Sequence, residues 1–353
     1  MKERQDKGPA DRLLMKKWMI PAVAGSLTLA VIAVLLVRSM SGNSEYERQF
    51  FAMDTIMSIK AWGRDAEPAV EAAQAEVERL EQQLSVTLEG SEIYTLNQDG
   101  EAQVSEETLG LIQSALEIGV ETGGAEDITL YPISRLWGFT TDQFRIPTDG
   151  EIQETLLLTG PEHIHISGND IQLDEGTELD LGSIAKGYAA DRILEIFESY
   201  QVTGGILSLG GNVATYGRKE NGGDWSVGIQ DPDDAEGYVG VLSVGDKSLT
   251  TAGTYQRYFE ENGTRYCHIF DPATGYPADS DLKSVTIVSD SGILSDGIDT
   301  PLLIMGLDKA VEFWRSCDNF EVVMIDSDGS IYVTQGLQDS MTDCPAGFTV
   351  ITR

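Results

Sequence analysis

The chain has 353 residues, of which 41% are apolar, and it carries 24 Lys and Arg against 58 Asp and Glu, for a formal net charge of −34. The apolar share excludes a disordered chain, because such chains have too few apolar residues to bury a core. The excess of acid excludes a nucleic-acid-binding protein, because phosphate backbones are bound by basic surfaces. We therefore expect a folded protein without a nucleic-acid partner.

The N-terminal part of the chain has the pattern of a membrane anchor. Residues 1–17 have a net charge of +3, and residues 18–37 follow with 20 positions and no charge. As a helix, about 20 residues span roughly 30 Å, which is the thickness of the hydrocarbon core of a bilayer. A cleaved secretory signal is the alternative, but its apolar region usually has about 7–15 residues, and Arg38 stands where a small-residue cleavage site would be. The length therefore favours an uncleaved transmembrane helix.

The distribution of charge predicts how the chain lies across the membrane. Basic flanks of a membrane helix are retained in the cytoplasm, so we expect a single-pass protein of the cell membrane with its N-terminus inside. After Arg38 the chain has 17 Lys and Arg against 55 Asp and Glu, which suits a soluble domain outside. The predicted organisation is a basic cytoplasmic segment (1–17), a transmembrane anchor (18–37), a linker (38–47) and one extracytoplasmic domain (48–353).

The outer part mixes strand and helix patterns in an irregular order. Apolar residues alternate in the predicted strands and recur at helical spacing in the predicted helices. In chain order we expect a strand over 47–62, helices over 66–85 and 105–120, loops over 131–149, short strands over 164–173, a helix over 186–200, a strand pair over 204–216, strands near 225–229, 239–250 and 284–288, a helix over 307–315, and strands near 322–325 and 331–334. The irregular order excludes a doubly wound fold and favours a single, bilobed α+β domain with mixed or antiparallel sheets and flanking helices.

The stretch DLGSIAKGYAAD (180–191) combines residues that suit a phosphate or its metal. An acidic residue, Asp180, and a small-residue turn precede the predicted helix. Free backbone N–H groups at a helix start attract an anion, and Lys186 would add a positive charge at the same place. A capped helix with Lys186 on the surface is the alternative reading of this stretch.

The stretch SDGIDT (295–300) has the spacing of an oxygen-rich metal site. Asp296, Asp299 and Thr300 stand at i, i+3 and i+4, which places their side chains on one face of a helical turn. Two carboxylates and a hydroxyl are hard oxygen ligands of the kind that hold Mg²⁺ together with substrate phosphates. An N-terminal helix cap also explains Asp and Thr at these positions.

Three histidines are candidates for chemistry. The stretch RYCHIFDPATGYP (265–277) holds His268 at the end of a strand before a turn, where an imidazole could exchange a proton near neutral pH. A structural histidine is the alternative. His163 and His165 alternate along a strand and face one side, but the sequence offers no third ligand nearby, so we expect ordinary strand residues.

The three cysteines, Cys267, Cys317 and Cys344, lack the CxxC spacing of a zinc site. In an oxidising compartment Cys317 and Cys344 could form a disulfide bond, and the sequence leaves this open.

Ten motifs in chain order resemble the FAD:protein FMN transferase family, of the ApbE type. They are MDTIMSI (53–59), SEIYTLN (91–97), LWGF (136–139), DLGSIAKGYAADR (180–192), LSLGGNV (207–213), WSVGIQDP (225–232), TTAGTYQRYF (250–259), RYCHIFDPATGYP (265–277), SVTIV (284–288) and SDGIDTPLLIMG (295–306). The resemblance implies an ApbE-like fold and an enzyme that binds FAD with Mg²⁺ and transfers the FMN moiety to a Thr or Ser hydroxyl of an acceptor protein, with release of AMP. The implied partners are FAD and an acceptor protein of an extracytoplasmic or membrane redox system.

The resemblance also implies roles for individual residues. The implied metal ligands are Asp296, Asp299, Thr300 and the main-chain oxygen of Ser183. The implied flavin site consists of Met53, Trp137, Gly138, Phe139, Asp180, Lys186 and Phe270. His268 matches the catalytic histidine of the family and would take the proton from the acceptor hydroxyl.

The chain departs from the family pattern at Asp54, which stands where glycine is usual and brings a negative charge toward the flavin site. Pro301 follows Thr300 directly, and we expect it in the first turn of a helix, where proline is tolerated. Two other activities are compatible with the pattern: a metal-dependent FAD pyrophosphatase giving FMN and AMP, and a flavin carrier without chemistry. A carrier needs neither His268 nor a metal site, so the pattern favours transfer.

Overall fold

The computed structural model describes residues 44–141 and 143–353, and its strands group into one large sheet and three small ones. In chain order the strands are β1 (Ser44–Ala52), β2 (Thr55–Gly63), β3 (Glu101–Gln103), β4 (Ile164–Ser167), β5 (Asp170–Leu173), β6 (Val202–Leu209), β7 (Asn212–Gly217), β8 (Trp225–Asp231), β9 (Asp234–Val244), β10 (Ser248–Gly253), β11 (Tyr258–Glu261), β12 (Thr264–Cys267), β13 (Leu282–Ser289), β14 (Phe320–Asp326), β15 (Ile331–Thr334), β16 (Met341–Thr342) and β17 (Thr349–Ile351). The large sheet has the order β1-β2-β6-β7-β10-β13-β14-β15-β17, and the small sheets are β11-β12, β16-β9-β8 and β3-β5-β4.

The large sheet is covered on both faces. Its central strand β13 is buried at nearly every position, as expected for a strand between two layers. Helices pack on one face, and β8 and β9 supply apolar side chains to a second core on the other face. The pairs from β2 to β15 are antiparallel, and β15 pairs with β17 in parallel. The predicted α+β architecture with mixed or antiparallel sheets is therefore confirmed.

The helices form where apolar residues recur at helical spacing. In chain order they are α1 (Ala66–Leu84), α2 (Glu92–Asp99), α3 (Glu106–Glu121), α4 (Tyr131–Trp137), α5 (Asp149–Leu156), α6 (Ala185–Ser199), α7 (Gly292–Met305) and α8 (Leu307–Ser316). The four predicted helices correspond to α1, α3, α6 and α8. The start of α3 was predicted correctly because Ser105 is its N-cap and accepts a hydrogen bond from the backbone N–H of Thr108.

The contact between α6 and α7 depends on two glycines. A Cβ atom on Gly187 would lie 2.1 Å from the carbonyl oxygen of Gly292, and a Cβ atom on Gly292 would lie 2.1 Å from the carbonyl oxygen of Gly187. Only glycine permits this approach of the two backbones. At the same point the N–H of Gly187 donates to Oδ2 of Asp296 at 2.8 Å. The glycine pair therefore brings the predicted metal residue Asp296 against the start of α6.

We expect Gly187→Ala to destabilise the protein by about 2 kcal/mol or more, because overpacked contacts usually cost about 1–3 kcal/mol and here the neighbour is backbone. Thermal unfolding of the full chain measures this. Gly110→Ala in α3 is the matched control, because a Cβ atom there meets nothing within 4 Å. The control should be neutral or slightly stabilising, since alanine favours a helix over glycine. Equal melting temperatures for the two variants would contradict the contact.

The predicted strand over 47–62 is two strands, β1 and β2, joined by a tight turn. Met53 and Asp54 form this turn with φ angles of 48° and 57°. A two-residue hairpin of this type needs positive φ at both central residues and normally uses glycine or asparagine. The prediction was wrong because Met53 is not a usual turn residue. The backbone N–H of Met53 donates to Oε1 of Glu81 at 2.7 Å, which holds the turn on α1.

Three further local predictions were wrong. The loop expected over 131–149 contains the helix α4, which ends at Gly138 in the left-handed conformation. The strand expected near 239–250 is divided into β9 and β10. Pro301 lies inside α7 rather than in its first turn, because α7 begins much earlier. At the start of α7, the N–H groups of Gly292 and Ile293 donate to the carboxylate of Asp191 at 2.6 and 3.1 Å.

The predicted membrane anchor and the predicted disulfide bond have different outcomes. The predicted anchor, residues 18–37, lies outside the described residues, and no helix within the described ranges is long and apolar enough to cross a membrane. The described cysteines Cys267, Cys317 and Cys344 are all free. The disulfide that the sequence left open between Cys317 and Cys344 is therefore absent.

Candidate active site

The predicted metal residues lie in the middle of α7, on the side that faces α6. Asp296 and Asp299 are buried, and Thr300 is partly buried. Oδ2 of Asp296 accepts the N–H of Gly187, so the start of α6 binds a carboxylate. The sequence predicted that free N–H groups at this helix start would bind a phosphate. This prediction was wrong, because the N–H of Ala185 donates to the carbonyl of Leu181 and the N–H of Gly187 donates to Asp296.

The charges of Asp296 and Asp299 are poorly compensated by the protein. Burial raises the pKa of both carboxyls, and the pKa of Asp299 is raised further by the neighbouring charge of Asp296. The ammonium of Lys186 opposes the rise at both carboxyls. A buried carboxylate pair is costly unless a cation lies beside it. The pair therefore has the electrostatics of a cation site.

A divalent cation of the Mg²⁺ type fits these residues. Two carboxylates, a threonine hydroxyl and a main-chain carbonyl of Ser183 are all hard oxygen donors. The amide of Asn212 lowers the pKa of Asp296, but its Nδ2 atom, which is buried, has no hydrogen-bond partner of full geometry among the described residues. A buried donor is rarely left without a partner, which is consistent with a site completed by substrate or by metal-bound water.

Glu126 belongs to the same site and was missed by the sequence analysis. Its side chain is buried, and the hydroxyl of Ser183 donates to its Oε1 atom at 2.5 Å. Burial raises the pKa of Glu126 to about 8, and the charges of Asp127, Asp296 and Asp180 contribute. It stands beside Asp127 in the stretch GAEDITL (124–130), where no spacing of ligand residues marks it.

We expect Glu126→Gln to stabilise the metal-free protein at pH 8 by on the order of 2–4 kcal/mol. The pKa of Glu126 is raised from its usual 4.5 to about 8, so its favourable contribution is complete below pH 4.5 and is lost as the pH rises through about 8. Glutamine keeps the acceptor for Ser183 and never ionises. Melting temperatures measured from pH 4.5 to 8.5 should fall less steeply in the variant; parallel curves would contradict a neutral Glu126.

His268 is held in one orientation by the loop before β11. Its backbone N–H and its Nδ1 atom both contact the carbonyl oxygen of Arg257, at 3.0 and 3.2 Å. A carbonyl oxygen only accepts, so Nδ1 carries the proton and Nε2 keeps its lone pair. The turn after it is closed by Gly275, whose N–H donates to the carbonyl of Asp271 at 2.8 Å. The predicted turn after His268 is present, and its rigidity stays a prediction.

The surroundings of His268 keep its ring neutral. Burial lowers its pKa to about 4, and the positive charges of Arg257 and Lys186 contribute. An imidazole with a free Nε2 and a low pKa is unprotonated at neutral pH. It can accept a proton, but its pKa lies below the neutral range that the sequence predicted, so that prediction was wrong.

Three of the predicted flavin residues form a buried aromatic cluster. Trp137, Phe139 and Phe270 have ring centroids 5.7–6.0 Å apart in the pairs Phe139–Phe270 and Trp137–Phe270. The indole Nε1 of Trp137 donates to the carbonyl of Gly275 at 3.0 Å. Trp137 thus stabilises the loop that follows His268. The contacts of Trp137, Gly138, Phe139 and Phe270 with flavin stay predictions.

The other predicted flavin residues meet around Lys186. Its ammonium donates to the carbonyl of Gly182 at 3.0 Å, and its charge lowers the pKa of both Asp180 and His268. The carboxylate of Asp54, from the turn next to Met53, raises the pKa of Asp180. The structure therefore brings four segments to one place. They are the β1–β2 turn, the start of α6, the loop of His268 and residues 296–300 of α7, which we call the metal turn.

Arg257 and the two histidines His163 and His165 make further polar contacts. Arg257, which the sequence analysis did not single out, donates from Nη2 to the carbonyl of Phe139 at 2.9 Å. His163 and His165 both contact the carboxylate of Asp174, at 2.8 and 2.9 Å. His165 lies in β4, but His163 lies in the 3-10 turn Pro161–His163, so the prediction that both are strand residues was wrong for His163. Within the described ranges, no group of three or more His, Cys, Asp or Glu side chains is arranged to hold a metal.

The amino-acid sequence is similar to one family of known proteins. The chain matches the model of the ApbE family over residues 53–324. The FAD:protein FMN transferase of Klebsiella pneumoniae (strain 342) is 30% identical over 319 residues, which cover 88% of this chain and 99% of the relative. The FAD:protein FMN transferase of Treponema pallidum (strain Nichols) is 30% identical over 332 residues, which cover 87% of this chain and 91% of the relative.

Solved structures agree with the sequence comparison. The crystal structure of the ApbE protein from Thermotoga maritima superposes with a TM-score of 0.79 and 31% identity, over 84% of this chain and 99% of that chain. The flavin transferase ApbE from Vibrio cholerae gives a TM-score of 0.76 and 27% identity over the same shares. The chain therefore belongs to the ApbE family.

Proposed function

We propose that this protein is an Mg²⁺-dependent FAD:protein FMN transferase that attaches the FMN moiety of FAD to a Thr or Ser hydroxyl of an acceptor protein and releases AMP. The observation that carries the proposal is that the ammonium of Lys186 acts both on a neutral His268 and on the buried carboxylates of Asp296 and Asp299. Phosphoryl transfer needs a proton acceptor and positive charge around the phosphates, and this site supplies both. Two relatives that are named FAD:protein FMN transferase support the proposal.

The proposed step is an in-line displacement at the phosphorus on the FMN side of the FAD diphosphate. The acceptor hydroxyl oxygen forms a bond to this phosphorus, the bond to the bridging oxygen breaks, and AMP leaves. The hydroxyl proton passes to Nε2 of His268, which the carbonyl of Arg257 holds in the right tautomer. Bound Mg²⁺ would supply charge neutralisation on the phosphate oxygens.

The residues of the chain divide this work among them. Asp296 and Asp299 would hold the metal with Thr300 and the main-chain oxygen of Ser183. The charge of Lys186 acts on both the metal turn and His268. Because the site is partly buried, its charges act more strongly than they would in water.

We also propose that the catalytic domain is held outside the cell membrane by the segment 18–37. The support is the uncharged 20-residue stretch with a basic N-terminal flank and the orientation that such flanks impose. An acceptor that belongs to an extracytoplasmic or membrane redox system would then lie on the same side as the enzyme.

The test is to incubate the full chain with FAD, Mg²⁺ and a purified redox-complex subunit that has a surface threonine. Flavin fluorescence of the subunit in a denaturing gel, together with free AMP, is the expected result. Release of AMP and free FMN without labelled protein would instead identify an FAD pyrophosphatase. Unchanged FAD in the presence of Mg²⁺ would contradict both activities and leave a carrier.

A further inference from the structure

Arg257 places a guanidinium at the wall of the site that carries His268. It lies in the loop between β10 and β11, and its Nη2 atom donates to the carbonyl of Phe139 at 2.9 Å. The ring of Phe139 lies 6.4 Å from the ring of His268. Arg257 is exposed, and the bond to Phe139 ties its guanidinium to the segment whose aromatic ring packs beside His268.

The charge of Arg257 acts on two different parts of the site. It lowers the pKa of His268 and also that of Asp180. Lys186 acts on the same two groups. Both cations therefore lie within electrostatic range of the same two groups. Positive charge from two side chains at one place favours a bound anion.

The guanidinium has most of its hydrogen-bonding capacity left. Arginine carries five N–H donors, and in the part of the chain that the structure describes Arg257 makes one side-chain hydrogen bond and no ion pair within 4.0 Å. Arg265, on the adjacent strand β12, contrasts with it, because its guanidinium is paired with Glu260 and lies over the ring of Tyr258. A planar fork of free N–H donors matches two phosphate oxygens.

We propose that Arg257 is a substrate-binding residue whose guanidinium binds the diphosphate of FAD. The inference rests on the proposed function, which supplies the diphosphate substrate. In this arrangement Arg257 and Lys186 bind the non-bridging oxygens, and the main-chain carbonyl of Arg257 orients His268 toward the same phosphorus. One residue thus positions both the substrate and the base.

The test compares FAD binding by the full-length native protein, Arg257→Gln, Arg257→Lys and Arg265→Gln, followed by quenching of flavin fluorescence with Mg²⁺ present. We expect Arg257→Gln to weaken FAD binding by about 10- to 100-fold, because hydrogen bonds to charged groups are lost. Arg257→Lys keeps the charge but loses the fork, so it should lie between this variant and the native protein. Arg265→Gln removes a nearby charge that is already paired and should bind FAD normally.

A salt titration separates charge loss from misfolding. If Arg257 contacts the diphosphate, the affinity of the native protein for FAD should fall with ionic strength, and Arg257→Gln should show a smaller slope. Native affinity in Arg257→Gln, or an unchanged slope, would overturn the proposal. The binding assay does not require transfer, so a protein that binds FAD through Arg257 yet labels no acceptor would refute the proposed function and leave this inference intact.

Discussion

Asp299→Asn is expected to abolish flavin transfer while stabilising the metal-free protein. Asparagine removes one of two buried, mutually repelling carboxylates, so the melting temperature without Mg²⁺ should rise by about 2–4 °C. The same change removes a metal ligand. Because a bound metal supplies several kcal/mol of charge stabilisation in the transition state, the rate should fall by about 10³-fold or more.

The native protein supplies the comparison for this result. Its melting temperature should rise when Mg²⁺ is added, because a ligand that binds only the folded state stabilises it, and should fall again with EDTA. Asp299→Asn should show little or no such response. Asp290→Asn is the matched control, since Asp290 is exposed and pairs with Lys247 at the surface. A normal Mg²⁺ response in Asp299→Asn would show that the metal does not bind at α7.

His268→Ala is expected to keep FAD binding and to lose flavin transfer by about 10²- to 10⁴-fold, the usual contribution of a positioned general base. The loss should appear in the turnover rate rather than in the affinity for FAD, because the ring takes the proton and is not needed to hold the diphosphate. His165→Ala changes an exposed histidine on β4 and should leave transfer unchanged. Transfer at the native rate in His268→Ala would contradict the proton role.

The pH profile of the native enzyme gives an independent check on His268. Its pKa is lowered to about 4 by burial and by Arg257 and Lys186, so the ring is neutral and competent as a base well below the usual histidine value of 6.5. Transfer should therefore stay constant from pH 8 down to about 5 and decline as the pH falls through about 4. A decline centred near 6.5 would show that the ring is not shielded in this way.

The local elements of the fold were predictable because they depend on short-range patterns. Helices α1, α3, α6 and α8 have apolar residues at helical spacing and, at Ser105, a side-chain cap. The turn at Met53 and Asp54 was not predictable in this way, because its strained φ angles are held by a contact with Glu81, 28 residues away. Local propensity does not include such support.

The sequence by itself determined the charged N-terminal flank, the acidic character of the outer domain, the α+β class and the residues of each motif. The tertiary structure decided which residues share the site: Gly187 with Asp296, 109 positions apart, Ser183 with Glu126, 57 apart, and Arg257 with Phe139, 118 apart. It also decided their protonation, since the neutral His268 and the raised pKa of Glu126 follow from burial. Burial and long-range contact of these polar residues arise only when the chain has folded, because their spacing along the sequence does not show which of them meet.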